Sequence, residues 1–439
     1  MNKCIEKINT LAGRGLFNIF GSNIINCVVS FFTNIVIVRL MTRGEYGIFS
    51  YANNTISLFA LISGLGLDSG ILQFCSEKKG EDQKYCLYKY GMLIGTFFNL
   101  ILAICIFFYS IYGNIAISES RQYIKQLMVI PIFTFAFQFI TIIFRTNKEN
   151  KKYCKLLNFN TAVYFILSCL GAYLYGISGT IAGRYISYLI SICMGIYMYK
   201  NNIRKVINAN KIISKIKISL LKYSIICCGS NSISQLLYLL DVYLIGVIII
   251  NSQVIASYRV ATMIPSALSF IPLSIMVFIY PYFAEKSNDV LWIKKQCVKL
   301  FKALAIINII ISIILFIGAP LIISILFGKE YMDSVVPFRI LAVNYCISAT
   351  FRIPCGNILA MMRKVNVNFI VSIISGIFNI ILDIILIRVY GSNGAAVATL
   401  VVVVISSVIA FLYLMYYLNK NIKDLEKIAF KSEAELSTI

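Results

Sequence analysis

The chain has 439 residues, 59% of them hydrophobic and 13% charged, with a formal net charge of +22. Ordinary soluble domains run near about 45–50% apolar and about 25% charged, so this composition argues against a soluble enzyme and for a lipid environment. No histidine is present, which excludes histidine proton relays and His-based metal sites.

The N-terminal stretch MNKCIEKINTLAGRG is basic and leads into an apolar run containing Asn23, Asn26 and Asn34. With no clear small-x-small cleavage signal, it reads as a retained first span and not as a removed signal peptide. Apolar windows bounded by charges and Gly/Asn turns then predict twelve spans, at 16–38, 46–73, 90–112, 126–145, 156–175, 179–199, 224–250, 254–280, 300–323, 338–361, 367–387 and 394–418. Each is near the length of about 20 residues needed to cross a hydrocarbon core. The 13 cysteines are scattered through these stretches without C-x-x-C pairing and read as small buried hydrophobes. No cofactor and no metal are expected.

With the N-terminus placed inside, 30 of the 40 Lys and Arg fall in inside segments and 7 in outside segments, while Arg184, Arg259 and Arg352 fall within spans. That asymmetry is the positive-inside pattern, with both termini cytoplasmic. The basic excess is thus a topology signal, and no nucleic-acid partner is expected. The longest connector, roughly residues 200–223, separates two groups of six spans. Predicted domains are residues 1–210 and 211–418, two six-helix lobes, with a cytoplasmic tail at 419–439.

The halves repeat one another. YGISG at Tyr175 matches YGSNG at Tyr390, GSN recurs at Gly21 and Gly229, and Ser50–Tyr51 matches Ser257–Tyr258. Six spans per copy makes the copies parallel, related by a pseudo-two-fold axis along the membrane normal. The fold class expected is an all-α membrane protein of twelve helices in two lobes around a cleft.

Polar residues recur at helical spacing on several spans. Span 1 aligns Asn23, Asn26, Ser30 and Asn34; span 7 aligns Asn231, Gln235, Tyr238 and Asp241; span 6 aligns Arg184, Ser187, Tyr188, Ser191 and Gly195; span 8 aligns Arg259, Thr262, Ser266 and Ser269. Uncharged stripes of this kind serve either as interhelical packing or as the wall of a wet cavity. An Arg or Asp at bilayer depth costs at least about 2.5–3.5 kcal/mol and normally faces a partner or water. Arg352 and Asp241 sit near mid-span, and pairing of the two is the structural alternative. Arg184 lies some five residues, roughly 7 Å, below the outer end of span 6. Asp68, Arg145 and Asp383 are placed nearer span ends, in reach of headgroups. Three deep arginines against one deep aspartate leave a cationic cleft suited to an anionic, hydroxyl-rich cargo. The candidate binding set is Arg184, Arg259, Arg352, Asn23, Asn26, Asn231 and Gln235, with Asp241 and Asp68 as candidates for ion coupling.

The segments LFGKEYMDSVVPFRILAVN, GNILAMMRKVNVNF, FNIILDIILIRVYGSNGAAVATL and VRLMTRGEYGIFSY together resemble polysaccharide flippases of the multidrug/oligosaccharidyl-lipid/polysaccharide exporter superfamily. LFGKEYMDSVVPFRILAVN carries a G-x-E-Y turn at Gly328, Glu330 and Tyr331, and the stretch from Asn379 to Thr399 carries N-x-x-L and Y-G-x-x-G-A-A-x-A-T. In the first half, Arg39, Leu40, Glu45, Tyr46 and Gly47 match R-L-x-x-x-x-E-Y-G, followed by GLDSGILQF; LLDVYLIG (Asp241) and SYRVA (Tyr258) also fit. The resemblance runs from about residue 15 to residue 418. It implies an inner-membrane flippase of the O-antigen (Wzx-type) group. Its cargo would be an undecaprenyl-diphosphate-linked oligosaccharide, its mechanism alternating access, its neighbours membrane lipids, a polysaccharide polymerase and a chain-length regulator. An enzyme is not expected: no P-loop and no D-x-D occurs. The alternatives are a cation-coupled multidrug exporter of the same fold, whose cleft should be acidic or aromatic, and a polytopic polysaccharide polymerase or ligase, which should carry a large outer loop.

Overall fold

A computed structural model describes residues 16–76, 80–210, 213–285, 289–362 and 364–436, and its regular structure is helical throughout. Lys3, Lys7, Arg14, Lys78, Lys79, Lys211, Lys286 and Arg363, counted above to the inside segments, lie outside the described residues, as does the Tyr238 side chain. In chain order the longer elements are α1 (Leu16–Leu40), α2 (Arg43–Ala60), α3 (Leu67–Ser76), α4 (Glu81–Tyr112), α5 (Arg121–Leu127), α6 (Ile130–Thr146), α7 (Asn150–Met198) and α8 (Lys200–Ile207). They continue with α9 (Ser214–Ile249), α10 (Ser252–Leu268), α11 (Phe270–Glu285), α12 (Val290–Leu326), α13 (Val335–Ile347), α14 (Ile353–Met361), α15 (Val365–Tyr390) and α16 (Ser392–Leu436).

Among the described residues eight helices are long and apolar enough to cross a membrane, or ten when two bent pairs are each taken as one span. The twelve predicted spans are therefore not counted outright, and the reasons are local. Predicted spans 5 and 6 share the single helix α7, and predicted span 7 lies in α9, whose apolar part Leu239–Ile249 falls short of the required length and is not among the eight or ten. The bent pairs are predicted spans 2 and 4. Span 2 breaks by 43° between α2 and the helix from Ser63, where Gly64, Leu65 and Gly66 all adopt positive φ. Span 4 breaks by 41° between Leu127 and Ile130.

The repeated Y-G-x-x-G motif explains how α7 holds two spans. Gly176 has φ 56° and ψ −131°, and Gly391 has φ 59° and ψ −137°. Only glycine occupies this region without strain. The chain reverses there, and the second glycine of each motif lets the two arms touch. A Cβ on Gly179 would meet the Gly171 carbonyl oxygen at 2.0 Å, and one on Gly394 would meet that of Leu386 at 2.1 Å. Each contact spans eight residues, so the motif is a backbone-on-backbone helical hairpin built identically in both halves. Close approach through small residues is how helices gain packing in lipid, where hydrophobic exclusion adds little between them.

The chain divides into two compact units, Met1–Arg259 and Val260–Ile439. In the first, Leu67, Ile71, Tyr88, Phe137, Phe144 and Leu156 form a buried core shared by α3, α4, α6 and α7. In the second, Cys297, Phe301, Cys355, Leu359, Leu414 and Leu418 form the corresponding core. There α12 is stitched to α13 by Ser312 donating to the Ala342 carbonyl and Tyr345 donating to Asn308, and to the turn after α13 by Asn308 donating to Thr350. One expectation is corrected in this unit. Asp383, placed near headgroups from its position in span 11, is 0% exposed. It recurs at four-residue spacing with Ser375 and Asn379, both buried, on a helix packed against α16. The stripe therefore faces the interior of the bundle.

Candidate functional site

Two of the three deep arginines converge on one stripe of α2. The helix begins with a capping box: the Thr42 hydroxyl accepts from the Glu45 backbone N–H and the Glu45 carboxylate accepts from the Thr42 backbone N–H, which satisfies two otherwise orphaned donors. Downstream, Tyr46, Ser50 and Asn53 follow at i, i+4 and i+7, the spacing of one helical face. Asn53 Oδ1 accepts a 2.8 Å hydrogen bond from Arg184 Nη1. The Arg259 guanidinium and Ser50 both hydrogen-bond the Tyr46 phenol. Tyr164, on the other arm of the α7 hairpin, lies in the field of Arg184 and close enough to Tyr46 to interact with it electrostatically. Arg184, Tyr164, Tyr46 and Arg259 thus cluster along α2, with Arg184 half-buried.

The surroundings of Arg184 favour an anion. Glu45 is committed to its helix cap, and among the described residues Arg184 has a neutral amide, not a carboxylate, as its hydrogen-bond acceptor. A guanidinium satisfied only by neutral groups keeps its full positive field, and its remaining N–H donors can grip phosphate oxygens.

Arg352 belongs to the second unit. It closes a π-helical turn, Ser348–Arg352, between α13 and α14, and π-turns inserted in α-helices recur at functional sites. The turn is anchored by Phe351, whose ring packs on Phe301 and Phe411, while Arg352 itself is half-exposed. Asp241 is 6% exposed, and its Oδ2 accepts a 2.6 Å hydrogen bond from the Tyr258 hydroxyl, so two residues of the motif segments LLDVYLIG and SYRVA meet. Asp68 is half-buried just past the break in span 2, close to Cys228.

The uncharged predicted residues are distributed differently. Asn26 donates to Ser22 at 3.4 Å, and Ser22 donates to Asn158, which joins α1 to α7. Asn23, Asn231 and Gln235 are exposed, and none of the four belongs to the arginine–tyrosine cluster. On span 6 the Ser187, Ser191 and Gly195 stripe is buried, with Gly195 facing Ile140 and Leu156; these small residues serve packing. Sequence reasoning missed Tyr46, Ser50, Asn53 and Tyr164 as members of the site. The i, i+4, i+7 spacing on α2 was the available signal.

Among the described residues no group of three or more Cys, Asp or Glu is arranged to hold a metal ion. The N-terminal ends of α2 and α10 are in direct contact: Arg43 donates to Ser257 Oγ at 2.6 Å, and a Cβ on Gly47 would meet the Ser252 carbonyl oxygen at 1.8 Å.

Residues 12–287 match the family model described as polysaccharide biosynthesis protein. The chain belongs to that family. No curated protein matches it. Among solved structures it is similar to the lipid II flippase MurJ in an inward closed conformation, at 16% identity and a TM-score of 0.72, over 90% of this chain and 87% of that one. It is also similar to an inward-facing multidrug resistance MATE family transporter of the MOP superfamily, at 13% identity and a TM-score of 0.70, over 91% and 96% of the two chains. A MOP superfamily transporter from Pyrococcus furiosus Vc1, titled for the reverse polarity of its binding pocket, shares the fold at 13% identity and a TM-score of 0.63, over 92% and 95%. The fold of this polysaccharide biosynthesis protein is thus that of the multidrug/oligosaccharidyl-lipid/polysaccharide exporters, as the sequence resemblance implied.

Proposed function

We propose that this protein flips an undecaprenyl-diphosphate-linked oligosaccharide, an O-antigen or similar surface-glycan repeat unit, from the cytoplasmic to the outer face of the bacterial inner membrane. The observation that carries the reading is the convergence of Arg184 and Arg259 on the Tyr46–Ser50–Asn53 face of α2, with Arg184 satisfied by a neutral amide. Moving an oligosaccharide through lipid unaided strips hydroxyls of water at roughly 2–7 kcal/mol each. A wet cleft between two lobes, residues 1–210 and 211–418, removes most of that penalty while the polyprenyl chain stays in lipid. Arg184, Arg259 and Arg352 would hold the diphosphate, and Asn23, Asn26, Asn231 and Gln235 would face the sugars. The tail at 419–439 and the N-terminus would both be cytoplasmic.

With the cytoplasm negative, outward movement of the diphosphate gains roughly 2.3 kcal/mol per charge per 100 mV, so net transport needs no chemical reaction. Asp241, buried against Tyr258, is the candidate for coupling a cation, with Asp68 second. A polysaccharide polymerase and a chain-length regulator would act on the delivered unit. The fold likeness does not separate glycan from drug transport, because flippase and multidrug transporter match it about equally. Deletion of the gene separates them. Accumulation of cytoplasm-facing lipid-linked repeat units, with surface glycan lost, is the expected result. Unchanged glycan with increased drug susceptibility would refute the proposal, and single repeat units displayed at the surface would indicate a polymerase.

A further inference from the structure

The connector between α7 and α9 is a short amphipathic helix with an unusual charge environment. No Asp or Glu occurs between Glu149 and Asp241, yet Lys200 and Arg204 stand one turn apart on α8, where like charges repel. The helix is held firmly in place. Ile203 and Val206 pack on the core of the first unit, and Lys89 of α4 donates to the Ile207 and Ala209 carbonyls at 2.6 and 2.9 Å, capping the negative end of the helix.

This anchoring fixes what faces outward. Lys200, Arg204 and Ile207 share one stripe at i, i+4 and i+7, and all three are exposed, Ile207 by 61%. Ile213, in the short link to α9, is 70% exposed. Water offers no reason to hold two isoleucines open beside clustered cations. The headgroup layer does: isoleucine side chains reach the acyl boundary and the cations meet phosphates. The surrounding lysines are also placed at an interface, with Lys200 over the Tyr197 ring at 4.8 Å and Lys205 over Tyr85 at 5.9 Å. Tyrosine rings favour that depth.

We infer that α8 and Ile213 form a docking surface for anionic phospholipid of the cytoplasmic leaflet, with Lys200, Arg204 and Lys205 on the lipid phosphates and Ile207 and Ile213 in the acyl boundary. The side of the membrane rests on the orientation proposed above; the lipid preference does not.

The test uses the full-length protein in detergent, with thermal unfolding followed while phosphatidylglycerol or phosphatidylcholine is titrated in. Phosphatidylglycerol should raise the midpoint and phosphatidylcholine should not. Each cation removed should weaken the phosphatidylglycerol response about fivefold, so Lys200→Gln/Arg204→Gln/Lys205→Gln should shift its half-point on the order of a hundredfold. Ile207→Asn should weaken it while leaving the charges in place. A triple variant with the wild-type response would overturn the inference, as would an equal shift from soluble glycerol phosphate, which would mark a free-phosphate site. If the triple variant does not accumulate, Arg204→Gln alone carries the test at fivefold. Flipping activity is measured separately in vesicles, so failure of lipid docking and failure of the flippase proposal give different results.

Discussion

Replacing Arg184 with glutamine should separate folding from transport, because the two depend on different interactions of the same side chain. In the folded protein Arg184 donates a 2.8 Å hydrogen bond to Asn53, worth about 0.5–1.5 kcal/mol net. Against this stands the cost of a guanidinium at bilayer depth, at least about 2.5–3.5 kcal/mol. Removing the charge should therefore leave the thermal midpoint of the purified protein unchanged or higher. Transport should respond in the opposite direction. A charge-assisted hydrogen bond to phosphate contributes about 1.5–3 kcal/mol, so its loss should lower flipping of a fluorescent lipid-linked oligosaccharide in proteoliposomes by roughly 10- to 150-fold. Asn53→Asp provides the companion test: a carboxylate in place of the amide would pair with Arg184, stabilise the bundle and compete with the cargo. The reasoning fails if Arg184→Gln unfolds at markedly lower temperature while the surviving protein flips normally. That outcome would make the arginine a strut for α2 and not a ligand.

The hairpins and the buried acid each give a further test. Gly394→Ala should lower the unfolding midpoint by the equivalent of about 1–3 kcal/mol, because the added methyl has only 2.1 Å to the Leu386 carbonyl oxygen; Gly179→Ala should do the same in the other half, and thermal unfolding of both checks the repeat. Asp241→Asn should preserve flipping driven by membrane potential but abolish any dependence on an imposed proton or sodium gradient. Tyr258→Phe, which removes the donor to Asp241, should destabilise the protein by about 1–3 kcal/mol; a gradient response retained in Asp241→Asn would remove Asp241 from coupling.

Much of the fold was legible because lipid imposes a simple rule on sequence. Backbone groups must be satisfied within each segment, so spanning segments are long apolar helices that composition alone reveals. The glycine pairs at Gly176 and Gly179, and at Gly391 and Gly394, were readable as a repeat, while their reversal at positive φ with touching backbones emerged only in the folded chain. The boundaries of the tight turns, the breaks in spans 2 and 4 and the burial of Asp383 were not readable. They depend on which neighbour each helix face meets, and an apolar helix face looks the same in sequence whether it meets lipid or protein.

The site divides along the same line. That arginines lie among spanning helices, and that they outnumber the acids there, follows from the order of residues, because a charge in an apolar run is visible without coordinates. That Arg184 and Arg259 share the α2 face while Ser187 and Ser191 disappear into packing was decided only by the folded chain. Asn53 and Arg184 are 131 positions apart, and their 2.8 Å bond exists because the Gly176 hairpin and the seating of α2 bring them to one place. Hydrogen bonding acts over ångströms, and only tertiary structure sets distances between residues so remote in sequence.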